Sequence, residues 1–311
     1  MEGKQQVTSK RQTPGGSLVS ANLRANLEPY WYLLPTLLVL GGLLLVPLIY
    51  GVASSFQRWI IYDPLNRGWV GLSNYAELLR DPLFWQALKN TLVWTLGSLV
   101  FQFSLGLGLA LLLVKPFPLR TLYQAVVFLP WAVPPFLGGM TWKWLFNSNI
   151  GPISDLLMRL HLRSDPLNML SDPQTALWGA VIANVWFGIP FFAITFLAAL
   201  QSIPNELYEA AAIDGAGSWR SFTHITLPFL VPTMVITVLL RSIWIANFTD
   251  LIWVMTGGGP ANSSQILTTY IFSTAYTKLD FGYAATLSTA LLVLLGAYAL
   301  VVTQVRRMVR V

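Results

Sequence analysis

The sequence predicts an all-α polytopic membrane protein with six transmembrane helices. Three observations carry that expectation. The chain of 311 residues is 55% hydrophobic and only 10% charged, whereas soluble domains carry about 25% charged residues. Six apolar runs are each long enough to cross about 30 Å of hydrocarbon. The charges also sort by loop. Segments 1–30, 115–120, 201–228 and 306–311 hold ten Lys and Arg against five acids, while 57–90, 148–175 and 256–282 hold seven of each. The positive-inside rule then places the first set, with both termini, in the cytoplasm.

The net charge of +6 does not point to nucleic acid, because no basic stripe with interleaved aromatics is present. Thirteen Trp, eleven Tyr and seventeen Phe suit aromatic belts at two lipid interfaces. The chain has no cysteine, which removes disulfides, thiolate metal sites and thiol nucleophiles.

Residues 1–30 are polar and weakly basic, and read as a flexible cytoplasmic tail rather than a secretory signal. The transmembrane domain is expected over 31–305, its first span over about 31–55 without a charge. In the loop that follows, Asn74 to Leu79 predicts a short interfacial helix, with Trp69, Tyr75 and Trp85 at headgroup depth. The second span, 90–114, carries Ser98, Gln102, Ser104, Gly106 and Gly108, small or polar residues that let helices pack closely.

The third span, 121–146, holds Pro130, Pro134 and Pro135 and should be kinked or broken. Lys143 near its end is expected to snorkel. The fourth, 176–200, carries Asn184, Trp186 and Pro190. The fifth, 229–255, is read as one helix containing Arg241, Asn247 and Asp250, the last two sharing a face. Intramembrane charges mark pathways or buried pairs. Arg241 is out of phase with Asp250, so its counter-charge is expected on another helix or subunit. The sixth span, 283–305, runs into a basic cytoplasmic end, 306–311.

Between the fourth and fifth spans lies a polar interruption, 202–228. Pro204 suits a helix start, and Asn205 to Ile213 are good helix formers. Gly215 and Gly217 supply a turn, Ser218 caps a second short helix, and Leu227-Pro228 ends it. Two amphipathic helices held between spans have a shape that docks into a partner's groove.

The chemistry of an enzyme is missing. His161 and His224 lie in separate loops on opposite predicted sides, so no metal site is expected. No paired carboxylates share a face within a span, and no Ser/His/Asp arrangement follows a strand–turn–helix pattern. The glycine run Thr256-Gly257-Gly258-Gly259-Pro260 lacks the G-K-[ST] of a phosphate loop. No catalytic residue is assigned.

The pattern Glu209-Ala210-Ala211, Gly215 and Ile225-Thr226-Leu227-Pro228 resembles the EAA loop of binding-protein-dependent ABC importer permeases. Two further strings resemble the carbohydrate branch of that family, the maltose and glycerol-phosphate type. One is WVGLSNYAELLRDPLFWQALKNT at 69–91; the other runs from Val254 through the TGGGP turn to Leu291, with Met255 and Thr286 as mild departures.

The resemblance implies a type I importer permease with cytoplasmic coupling helices. It would be a multi-pass protein of a prokaryotic cytoplasmic (inner) membrane, forming the path for a sugar or oligosaccharide delivered by an external binding protein. It implies a second, different permease chain and two ATP-binding subunits, which hold ATP and Mg; this chain holds no cofactor. Its coupling residues would be Glu209, Ala210, Ala211, Asp214, Gly215, Trp219, Ile225, Leu227 and Pro228. For the substrate path, Asn184, Trp186, Phe187, Asn247, Asp250 and Trp253 offer aromatic faces and amide or carboxylate groups suited to sugars. The alternatives are a polyol or glycerol-phosphate-type solute, an ion-coupled secondary transporter, which would want a chain of membrane carboxylates, and a purely structural membrane protein.

Overall fold

The computed structural model describes residues 32–309, with side chains through residue 304. The predicted tail 1–30 and the side chains of the basic end lie outside the described residues. Two units are distinguished, one ending at Ala53 and one from Ser54 onward. The first contributes most of helix α1, Tyr32–Ser54, apolar throughout and exposed along nearly its whole length.

The second unit opens with a hairpin of β1, Gln57–Arg58, and β2, Gly68–Trp69, paired antiparallel. Helices α2, Ser73–Arg80, and α3, Pro82–Leu113, come next. Asp81 separates them and caps α3, its side chain accepting from the Leu83 amide at 2.8 Å. With Pro82 at the first position, α3 starts eight residues before the predicted span and runs for 32 residues.

The third predicted span is two helices, α4, Arg120–Ala132, and α5, Pro135–Leu145, set at 99°. Pro134 and Pro135 produce this break, while Pro130 stays inside α4. Val133, which precedes Pro134, is extended (ψ 125°), and Pro134 continues with ψ 138°, as the clash of a proline ring with the preceding residue demands. After the short helix α6, Pro152–Arg159, comes α7, Ala176–Gln201, the most buried of the long helices. Its Phe192 and Phe196 are wholly buried, and Phe103 of α3 packs edge-on against both.

Helix α8, Asn205–Ile213, is followed by α9, Ser218–Ala246. Here the structure corrects the sequence reading twice. Leu227-Pro228 does not end the second short helix, which runs on into the span. A π turn at Phe222–Thr226, with the Leu227 amide bonded to Phe222 O, widens the helix just ahead of Pro228 and absorbs its missing donor.

The span also ends at Ala246 rather than near 255. Asn247 closes α9, and after Phe248 and Thr249 a new helix α10, Asp250–Thr256, begins. Asn247 and Asp250 therefore do not share a helix face. Trp94 of α3 donates its indole N–H to Ile245 O at 2.9 Å, satisfying a carbonyl at the end of α9. Asp250 lies in the first turn of α10, where the helix dipole favours a negative charge.

Helix α10 packs against α5. Lys143 does not simply snorkel: its ammonium donates to Val254 O in the last turn of α10 at 3.2 Å. Helix α11, Leu267–Tyr276, and the long α12, Phe281–Val309, complete the chain. Among the described residues five helices are long and apolar enough to cross a membrane, and the bent α4–α5 pair makes a sixth if counted as one span.

The two strings flanking the bundle turn out to be fasteners. Asn74 donates to Ser55 O and Gln57 O at 2.9 and 3.0 Å, and Thr286 of α12 donates to the same Ser55 carbonyl at 3.0 Å. Asn90 donates to Ser263 O and Gln265 O, both at 2.9 Å, while Thr91 Oγ1 accepts from the Leu267 amide. The loop after α10 is thus laced to α3.

Candidate functional site

Three places carry chemistry. At one end of the bundle, α8 and the start of α9 form a projecting hairpin. It turns at Gly215 (φ 74°), where the Gly215 amide bonds Ala212 O and the Ala216 amide bonds Ala211 O. This is a Schellman closure, which favours glycine because an L side chain is strained there. Gly217, by contrast, is extended (φ −71°) and occupies the cap position that the sequence reading gave to Ser218. Tyr208 and Thr226 share a hydroxyl–hydroxyl hydrogen bond of 2.9 Å that clips the two helices together.

The hairpin presents an apolar tip. Ile213 is 87% exposed and Trp219 77% exposed, and Trp219 leans on Phe222 with ring centroids 5.9 Å apart. Glu209, Ala210, Asp214 and Pro228 are exposed, and Ala211, Ile225 and Leu227 are half-buried.

Within the membrane-spanning part, a chain of polar groups crosses three helices. Ser98 of α3 accepts from Asn184 of α7 at 2.9 Å, and Gln102 of α3 donates to Asn184 O at 2.8 Å. Gln102 Oε1 accepts from Arg241 Nε of α9 at 2.8 Å. Gly188 makes room for this: a Cβ there would overlap the Gln102 amide. Arg241 is 5% exposed. No other helix of this chain supplies the counter-charge: among the described residues Arg241 enters no ion pair. Its partners are a neutral amide and the rings of Phe191 and Trp244, with centroids 5.7 and 5.9 Å from the guanidinium carbon. A buried charge left without compensation costs several kcal/mol.

Arg241 borders a cavity of about 400 Å³ lined also by Trp131, Pro135, Phe187, Trp244, Ile245 and Phe248. It opens at the α4–α5 bend and beside the end of α9. Phe187 and Phe248 stack on each other in its wall with centroids 5.3 Å apart. Of the six residues read as a substrate path, the cavity gathers only Phe187. Asn184 is buried between α3 and α7, Trp186 packs edge-on against Trp142, and Trp253 packs on Phe272 of α11. Asn247 is exposed and donates to Ile243 O of its own helix, and Asp250 is exposed at the start of α10. Sequence reasoning missed Trp131, Trp244 and Phe248. A proline break beside Trp131 and a polar break beside Phe248 were the available signals.

The third place is a polar cleft of about 900 Å³ at the bundle end opposite the hairpin, bordered by α2, α11 and the start of α12. Asp81 is its anchor, accepting from the hydroxyls of Tyr270 at 2.7 Å and Tyr283 at 2.8 Å. Burial opposes the charged form of Asp81, but these bonds and the backbone amides of Leu83 and Phe84 outweigh it and hold its carboxyl below the ordinary carboxylate value. Burial, then the bond to Asp81, pushes the Tyr270 hydroxyl above its ordinary value.

A carboxyl lowered on folding stabilises the fold above its unfolded value, about 4. That contribution is lost as pH falls through the lower folded value. Asp81→Asn should therefore cost about 2–3 kcal/mol and flatten the acid side of the stability profile. Thermal melts of the purified protein between about pH 3 and pH 7 would read both effects; an unchanged profile would show that Asp81 does not fasten this end.

Comparison with known proteins decides the family. Residues 102–310 match the family described as the binding-protein-dependent transport system inner membrane component. The chain belongs to this family. It is an ABC transporter permease, and its relatives agree along nearly their full length. The sulfoquinovosyl glycerol transport system permease SmoG of Agrobacterium fabrum is 34% identical over 88% of this chain and 87% of its own. The trehalose/maltose transport system permease MalF of Thermococcus litoralis is 34% identical, covering 89% and 93%. Among solved structures, a chain of a bacterial ABC transporter involved in the import of the acidic polysaccharide alginate superposes with a TM-score of 0.80 at 25% identity, covering 93% of this chain and 98% of that one.

Proposed function

We propose that this permease carries a sugar or oligosaccharide into the cell, with an external binding protein delivering the solute and ATP hydrolysed on separate subunits. The observation that carries the reading is the projecting hairpin with its exposed Ile213 and Trp219. It sits on a permease whose near-full-length relatives are named for sulfoquinovosyl glycerol and trehalose/maltose transport. Large apolar side chains clustered at an exposed tip are what a partner's groove accepts. In this reading the hairpin faces the cytoplasm with both termini, and Glu209, Ala210, Ala211, Asp214, Gly215, Trp219, Ile225, Leu227 and Pro228 form the coupling joint. ATP and Mg are held by the partner subunits, and a second permease chain completes the path.

The aromatic cavity at the α4–α5 bend is the proposed sugar position, with Phe187, Phe248 and Trp244 supplying ring faces. The test is reconstitution of the assembled transporter in lipid vesicles with labelled sugar. Uptake that requires both ATP and the binding protein is expected. Uptake driven by an ion gradient alone, without ATP, would favour the secondary-transporter alternative and overturn the proposal.

A further inference from the structure

Arg241 deepens that reading, and its role rests on the cavity being the sugar position. We propose that Arg241 makes the cavity selective for sugars bearing an anionic group, a carboxylate, sulfonate or phosphate ester whose oxygens its terminal nitrogens bind. The side chain is 5% exposed, and its Nε is committed to Gln102. Among the described residues no protein acceptor takes its terminal Nη groups, and Arg241 lines the cavity.

The other walls cannot neutralise it. Trp131, Phe187, Trp244, Phe248 and their neighbours supply ring faces and aliphatic surface, and no Asp or Glu lines the cavity. Ring faces hold sugar rings whatever their charge, so they do not discriminate. A desolvated guanidinium fork does, because two parallel N–H donors match the two oxygens of a planar or tetrahedral anion. A neutral sugar in the same place leaves the charge without a counter-ion in a low-dielectric site.

Gln102 acts here as a positioning residue. Its amide, fixed in turn by Asn184 O, holds the guanidinium in one orientation through Nε and leaves the outer edge for the ligand. Nothing in this arrangement needs the protein to change protonation.

The experiment uses the complete transporter, purified without its binding protein so that the cavity is read directly. Calorimetric titration compares a uronic-acid disaccharide, the same disaccharide as its methyl ester, and acetate. The wild type should bind the acid at least tenfold more tightly than the ester, with acetate not competing at matched concentration. Arg241→Gln should bring acid and ester to within twofold of each other, and Arg241→Lys should keep part of the preference.

Equal affinity of acid and ester in the wild type overturns the proposal, as does a preference that survives in Arg241→Gln. Competition by acetate as effective as the disaccharide acid would reduce the site to a general anion site and overturn it too. The wild-type comparison needs no variant, so misfolding of Arg241→Gln does not protect the idea. ATP-driven uptake of the ester with no preference for the acid would sink this proposal and leave the importer reading standing. Failure of both sugars to bind, with ATP-driven uptake of another sugar intact, would sink this proposal alone.

Discussion

Replacing Ile213 with Asp and Trp219 with Ala together should detach the permease from its ATP-hydrolysing partner. Both side chains project from the hairpin with little protein around them, Ile213 87% and Trp219 77% exposed. Truncating an anchoring aromatic at an interface costs about 2–4 kcal/mol, and two such anchors together about 4 kcal/mol or more. That corresponds to roughly a thousandfold in affinity. ATP-driven uptake should fall to background while the permease remains folded in the membrane, since neither residue supports the bundle. The measurement is co-purification of the ATPase subunit beside uptake in vesicles. Retained co-purification with retained uptake would remove the hairpin tip from the interface.

Gly188→Val should be as damaging, by a different route. A Cβ at this position would overlap the Gln102 amide, so the side chain of Gln102 must leave its place between α3 and α7. Overpacking alone costs about 1–3 kcal/mol. The displaced Gln102 would also release Arg241, which is 5% exposed and has no acid to turn to among the described residues. Breaking the support of a buried charge costs about 3–5 kcal/mol. The expected outcome is loss of assembled transporter in gel filtration. Gln102→Ala combined with Gly188→Ala should recover part of the assembly, because the clash is gone, yet not transport. Normal assembly of Gly188→Val would mean that this contact does not organise the bundle.

The frame of this fold was legible because lipid imposes a simple rule: a spanning helix needs about 20 predominantly apolar residues. The α4–α5 break was legible as well, since prolines at 130, 134 and 135 announce it locally. The break after Ala246 was not. Residues 229–255 read as one apolar run with three polar insertions, and the interruption is supported by Trp94, 151 positions earlier in the chain. A local pattern carries no record of such a contact.

The same reason explains the candidate site. Asn184 and Gln102 looked alike as polar residues on apolar helices, and only the packing of α3 on α7 separates their roles: one ties helices together and the other steadies Arg241. Asn247 and Asp250 looked like path residues because an amide and a carboxylate within a span suit a sugar. In the structure Asn247 closes one helix and Asp250 opens the next. In the hairpin the reading from sequence came closest, because Gly215 and the alanine run before it act within a few residues of themselves.

The central claim is that an ATP-binding partner acts on this permease through the 205–226 hairpin. The chain contains no cysteine, so single cysteines can be placed along it without background. Ala212→Cys and Ser218→Cys, both at exposed positions, would be treated with a short bifunctional reagent in membranes holding the whole transporter. A covalent adduct with the ATP-binding subunit is expected, with ATP-driven uptake blocked on cross-linking and restored when a cleavable linker is cut. Absence of any such adduct at these positions, in membranes whose ATP-driven uptake is intact, would contradict it.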